Sequence, residues 1–254
     1  MRPAMKLMNR RMLLACALSL GVTAGLPGAG AQAQVQVQGD QGTFDLVLRG
    51  LRAGTLSFTG AQDGMGYSVS GQLKSSGLAA MIRKVRYDAT SRGAVSKGRY
   101  VPASYAEKAD TGKRRSESVM AYVKGVPQVT AYAPPRAPRP GDVDPATMGG
   151  TVDPLTALYA TLRDVDKGAE CQVALKMFDG RRSSQIATSG PSTDGDRVIC
   201  SGEYRRLAGF SDKEMAEKQR FAFTLTYAPT EAGRMRVVEV AMDTLYGKAS
   251  LKRR

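Results

Sequence analysis

Apolar and polar residues alternate with a period of two in segment after segment of this chain, and that pattern dictates a sheet. Phe44, Leu46 and Leu48 point one way while Thr43, Asp45 and Arg49 point the other. After Gly50, Leu56 and Phe58 alternate with Thr55, Ser57 and Thr59; then Tyr67, Val69 and Leu73 alternate with Ser68, Ser70 and Gln72. Successive half-buried strands of this kind predict an antiparallel meander. Asp63-Gly64 marks a tight turn, because both residues tolerate a left-handed backbone.

The same grammar continues downstream. Strands are expected around Val85-Arg86-Tyr87, Arg99–Tyr105, Ser116–Val123 and Gln128–Ala133, with a short helix between Ser76 and Arg83 that carries Leu78, Met81 and Ile82. Ala133–Gly141 holds four prolines, which donate no ladder hydrogen bonds, so it reads as a loop or rigid connector. Asp153 then suits a helix N-cap and Pro154 its first turn. Leu155, Leu158, Tyr159 and Leu162 follow at i, i+3, i+4 and i+7, an apolar stripe that either packs in the core or faces a ligand. Cys171 is expected to open the next strand, with hairpin turns at Asp179-Gly180 and Asp194-Gly195 and a polar helix over Ser211–Gln219. Phe221, Phe223, Leu225 and Tyr227 share one face of a strand, and two more strands end the chain. The expected fold is mainly β: a large, strongly curved antiparallel sheet of about a dozen strands, half-barrel or barrel-like, with one amphipathic helix and one or two short helices. No fixed-period repeat supports a propeller or solenoid.

The N-terminus predicts export. Arg2, Lys6, Arg10 and Arg11 precede an uncharged run from Met12 to Ala33 that closes in Ala31-Gln32-Ala33, the layout of a cleavable leader. Gly21, Gly25, Pro27, Gly28 and Gly30 break the run and weigh against a membrane anchor. Cleavage after Ala33 would leave residues 34–254 as one exported β-rich domain without a transmembrane segment, periplasmic in a Gram-negative bacterium. Arg10-Arg11 leaves general secretory and twin-arginine export both open. In that oxidising compartment Cys171 and Cys200 read as a structural disulfide, with free thiols as the rival reading.

Charge points to the kind of partner. The whole chain carries +14; four of its 37 basic residues and none of its 23 acidic ones lie in the leader, which leaves about +10. A basic protein attracts polyanions. The basic residues stand in small scattered groups without interleaved aromatics, so a nucleic-acid platform is not expected. A solvated surface explains them, and a lipid-like or anionic envelope component is the partner they would suit.

Catalytic chemistry finds few footholds. The sequence has no histidine, which removes the commonest general base and zinc ligand. Ser-x-x-Lys, phosphate-loop and dinucleotide motifs are absent. Asp142 with Asp144, and Asp164 with Asp166, flank the helix; turn and capping roles suit them better than calcium or glycoside chemistry. The expectation is therefore a non-catalytic binding or envelope-maintenance module, without cofactor, that holds an apolar or amphipathic ligand inside the curved sheet. A carboxylate-based hydrolase and a structural assembly partner are the alternatives, and the oligomeric state is open.

Several segments together resemble an exported Gram-negative family known as a domain of unknown function, DUF3108. They are Asp153-Pro154-Leu155-Thr156-Ala157-Leu158, Phe178-Asp179-Gly180-Arg181-Arg182, and Cys200 with Tyr204-Arg205-Arg206 and Gly209-Phe210. Gly50–Gly54 and Pro102–Tyr105 add weaker echoes, and the resemblance runs from about Thr43 to Leu251. Ser183 and Ser184 stand where the family often has an aromatic. The resemblance implies an exported β-rich domain and no activity. A curved sheet around a helix is also similar to the half-barrels that carry lipoproteins, an analogy of fold alone.

Overall fold

The computed structural model describes residues 38–254, in which the alternating segments become fourteen strands of one antiparallel sheet. The leader expected at residues 1–33, with Ala31 and Ala33, lies outside the described residues. The strands are β1 (Gln38–Leu48), β2 (Leu51–Gln62), β3 (Gly66–Ser75), β4 (Arg86–Ser96), β5 (Arg99–Asp110), β6 (Arg115–Val123) and β7 (Val126–Ala133). After the proline-rich connector come β8 (Val165–Asp166), β9 (Ala174–Phe178), β10 (Ser183–Asp194), β11 (Arg197–Ala208), β12 (Arg220–Pro229), β13 (Arg234–Thr244) and β14 (Gly247–Arg253). Helices α1 (Gly77–Ile82), α2 (Pro154–Leu162) and α3 (Asp212–Glu217) complete the set.

The strand order is β7-β6-β5-β4-β3-β2-β1-β14-β13-β12-β11-β10-β9, with β8 paired to β13. Two meanders are thus joined where the last strand pairs with the first, Leu46 opposite Leu251. Bulges interrupt the ladders at Leu46/Val47, Arg92/Gly93, Val119/Met120 and Thr226/Tyr227 and add local twist, which helps the sheet curl until it nearly closes into a barrel. The chain between β7 and α2 runs along the remaining seam. Gly150 N–H donates to Gly125 O (3.0 Å) beside β7, while Val152 N–H donates to Lys176 O and Phe178 N–H to Val152 O (both 2.9 Å) on β9. Both sheet edges are partly covered without a barrel-closing ladder.

Period two sorts the side chains as expected: Phe44, Leu56, Phe58, Tyr67, Val69, Phe221, Phe223, Leu225 and Tyr227 are all buried inside. One expectation changes. Cys171 does not open a strand; it sits in a left-handed conformation (φ 59°) three residues before β9. The expected short helix forms as α1, and it leaves Met81 and Ile82 largely exposed, because a six-residue helix packed beside β2 buries little of its circumference.

Candidate functional site

Helix α2 fills the space inside the curved sheet. Asp153 caps it, accepting from Thr156 N–H at 2.9 Å, and Pro154 occupies its first turn. Leu155, Tyr159 and Leu162 are buried in the core, and Leu158 packs partly buried against it. The Tyr159 ring meets Phe58 and Tyr100 edge-on, with centroids 6.1 Å apart in each pair. The sheet approaches the helix so closely that a Cβ at Gly60 would lie 2.4 Å from the Tyr159 ring, and one at Gly71 2.6 Å from Leu155. Side chains of this helix and of the surrounding wall pack together in the core along its length.

A polar network ties each end of α2 to the wall. At the N-terminus the Asp153 carboxylate also accepts from Thr156 Oγ1 (2.6 Å) and Ser91 Oγ (2.8 Å), and Tyr67 Oη donates to Thr156 Oγ1 (2.8 Å). Burial pushes the Asp153 carboxyl up, against the hydrogen bonds from Thr156 and Ser91 that favour its charge. A serine beside a carboxylate is the raw material of nucleophilic catalysis. Here Ser91, Asp153 and Thr156 are all buried, and their mutual hydrogen bonds dock the helix on the wall. Asp153→Ala should lose the cap and leave two buried hydroxyls without their acceptor, costing about 2–4 kcal/mol. Asp153→Asn, which keeps an acceptor, should cost less; urea denaturation of both variants checks the order.

Midway along the helix Tyr159 Oη donates to Asp40 Oδ2 (2.9 Å), and Asp40 also meets Arg234 (3.4 Å), which reaches the segment after the helix. Asp164 takes a two-pronged contact from Arg236 (3.0 and 2.6 Å), and its carbonyl accepts from Arg234. Asp164 is thereby a structural ion-pair partner, and its neighbour Asp166 lies in β8.

The motif residues of the 179–182 turn and the 205–210 segment come together at the α3 end. Asp179 accepts from the N–H groups of Arg181 (2.9 Å) and Arg182 (2.7 Å), closing the β9–β10 turn at Gly180. Arg182 pairs with Glu214 of α3 (3.1 Å) and lies over the Phe210 ring, which Arg206 also covers. Gly209 has φ +82°, and a Cβ there would stand 2.4 Å from Arg181 O; both facts demand glycine. These residues bind the turn to α3 and explain their clustering without chemistry.

Arg181 reaches the other way. It meets Asp142 at 3.5 Å, and Arg136, stacked on Tyr132, meets the same carboxylate at 2.9 Å, lining a cavity of about 350 Å³. Burial alone would raise the Asp142 carboxyl, but the Arg139 N–H and the Arg136 guanidinium hold it below the ordinary range. Glu214 is also held low, first by the Ser211 N–H and hydroxyl of its capping box. Carboxylates depressed in the folded state stabilise it above their unfolded pKa, and that contribution is lost as pH falls through the folded value. Stability should therefore decline on acidification below the ordinary carboxylate range, and Asp142→Asn should flatten that limb in an acid titration followed by circular dichroism.

One residue escaped the sequence reading. Glu107 follows Tyr105 on the inward register of β5 and accepts its hydroxyl at 2.8 Å. Burial pushes the Glu107 carboxyl up, and the charge of Asp179 adds to the effect. An acidic residue at an apolar-in position of the alternation was its only signal. Among the described residues no three of histidine, cysteine, aspartate and glutamate converge to hold a metal, and no helix is long and apolar enough to cross a membrane.

The disulfide joins Cys171 to Cys200 of β11, linking the segment after α2 to the wall. A barrel-like antiparallel sheet plugged by a capped helix is the class that this architecture defines. Residues 43–193 match the family described as "Protein of unknown function (DUF3108)", and the chain belongs to that family. The match takes in the Asp153-Pro154 and Asp179–Arg182 motifs and ends before Cys200 and Gly209-Phe210. The crystal structure of a β-barrel-like protein of domain of unknown function DUF1849 from Brucella abortus is similar over 87% of this chain and 97% of its own, at 12% identity and a TM-score of 0.49. No curated protein matches the sequence.

Proposed function

We propose that the chain is an exported, non-catalytic module of the Gram-negative envelope that works through its outer surface, binding an anionic or amphipathic envelope component. One observation carries this reading: the interior is occupied by α2 and its aromatic neighbours, while the surface keeps a large positive charge. The Cys171–Cys200 bridge suits an oxidising periplasm, as the leader-like N-terminus does. Mass spectrometry of the protein purified natively from its own periplasm tests it. A processed, oxidised chain carrying an envelope molecule supports the reading; an intact leader on a cytosolic product with both thiols free contradicts it.

Glu107 favours a second reading, a hydrolase without histidine. A carboxyl that burial pushes up, held by the Tyr105 hydroxyl at 2.8 Å, has the property a general acid needs. Activity on ester or glycoside substrates that Glu107→Gln abolishes would establish it.

A further inference from the structure

We infer that the end of the barrel bearing α1 docks on an anionic phospholipid surface; this rests on the proposed function and names its partner and its site. Antiparallel strands send alternate connectors to opposite ends, so the two ends can be compared directly. From β13 to β6, the connectors at the α1 end are residues 245–246, 49–50, 76–85 and 111–114. They hold Arg49, Arg83, Lys84, Lys113 and Arg114 and no acidic residue. Over the same arc the hairpin connectors at the opposite end, residues 63–65 and 97–98, hold Lys97 against Asp63, and Lys124 follows at that end on the β6–β7 turn. Net charge over this arc is thus +5 at one end and 0 at the other, and the two remaining hairpin connectors at the α1 end, residues 179–182 and 209–219, balance four basic residues with four acidic ones.

The basic connectors form an unbroken row. Arg49 N–H donates to Lys248 O (2.8 Å) and its guanidinium to Tyr246 O; Ser76 N–H, leading into α1, donates to Ala53 O (3.0 Å); and Arg86, just past α1, lies opposite Asp110 in the β4–β5 ladder, beside the 111–114 turn. Lys74, Arg83, Lys84, Lys113, Arg114 and Lys248 are exposed and meet no carboxylate within ion-pair distance among the described residues.

Apolar side chains project through this collar. Ile82 is 87% exposed, Met81 83%, Tyr246 70% and Leu51 63%. Exposed single apolar residues are ordinary, but four on adjoining turns, ringed by cations, are not. Leu51 and Tyr246 protrude beside two neighbouring turns and Met81 and Ile82 from α1 between them and the 111–114 turn, so they suit a deformable surface that admits each tip to its acyl boundary while the collar meets lipid phosphates. Each basic residue near such a surface contributes about 1 kcal/mol, within a Debye length of about 10 Å. The result is reversible peripheral attachment.

The test is vesicle co-sedimentation at low salt, with protein purified from its own cells and its N-terminus established by mass. Vesicles of phosphatidylcholine with about one-third phosphatidylglycerol should sediment the protein, and pure phosphatidylcholine should not. Arg83→Gln with Lys84→Gln should weaken partitioning about thirty-fold, at roughly 1 kcal/mol per charge. Met81→Ser with Ile82→Ser should weaken it about ten-fold or more through lost apolar burial. Lys97→Gln with Lys124→Gln should leave it unchanged, and equal urea midpoints confirm that all variants fold. Equal binding to both vesicle types, no sedimentation with anionic vesicles, or α1-end variants that bind like wild type would each overturn the inference. An envelope molecule that still co-purifies in those cases leaves the proposed function standing.

Discussion

Tyr159→Ala should remove about 4–5 kcal/mol of stability, a large part of what a domain of this kind holds. Tyr159 is fully buried at the centre of α2, with Phe58 and Tyr100 against its ring and Gly60 of β2 beneath it. Truncation loses the transfer free energy of the ring and leaves a cavity that the curved sheet cannot collapse to fill. It also deprives the buried Asp40 of one of its two partners, leaving only Arg234 at 3.4 Å. Tyr159→Phe isolates that second part and should cost about 1–2 kcal/mol. Urea midpoints at an unchanged m-value measure both. An alanine variant within about 1 kcal/mol of wild type would mean that α2 is not the plug described here.

Loss of the disulfide should have the next largest effect. Cys171 and Cys200 stand 29 residues apart, and a closed loop of that length restricts the unfolded chain enough to stabilise the fold by about 3–4 kcal/mol in the chain-entropy model. The bridge ties the segment following α2 to β11, where Cys200 is fully buried opposite Leu225. Reduction, or the double variant Cys171→Ala with Cys200→Ala, should lower the urea midpoint by a corresponding amount. Strands β9 and β10 should become the first to exchange their amide hydrogens, because they form the far end of the strand order. Equal midpoints for oxidised and reduced protein would remove the bridge from the account of stability.

What the sequence made legible was local. Alternation exposes the buried face of β12 at Phe221, Phe223, Leu225 and Tyr227, and the Asp153 cap with Pro154 marks the start of α2. Non-local pairing leaves no such trace: nothing in either segment announces that β14 lies against β1, or that the two-residue β8 pairs with β13. Three two-residue hairpins were also hard to read. Arg49-Gly50, Lys97-Gly98 and Lys124-Gly125 hold both residues at positive φ, a turn in which asparagine or aspartate is the usual first residue. Asp63 and Asp179, which bond back to their own turns, signalled themselves.

Sites were legible only in part. The acidic pairs were assigned turn and capping work, and Asp144 does cap the short turn Pro145–Thr147. That Asp142 would gather Arg136 and Arg181 depends on a connector folding back over the seam, which composition does not encode. The basic groups looked scattered along the chain because the α1 end assembles them from turns that are distant in sequence.

A neutral apolar fluorophore such as N-phenyl-1-naphthylamine, titrated into the native oxidised protein, asks most directly whether the inside of the sheet is full. Wild type should show no saturable fluorescence gain, whereas Tyr159→Ala, if folded, should gain a site by emptying the volume of one ring. Saturable uptake by wild type, displaced by an uncharged lipid, would place a working ligand cavity where α2 is described as filling the core.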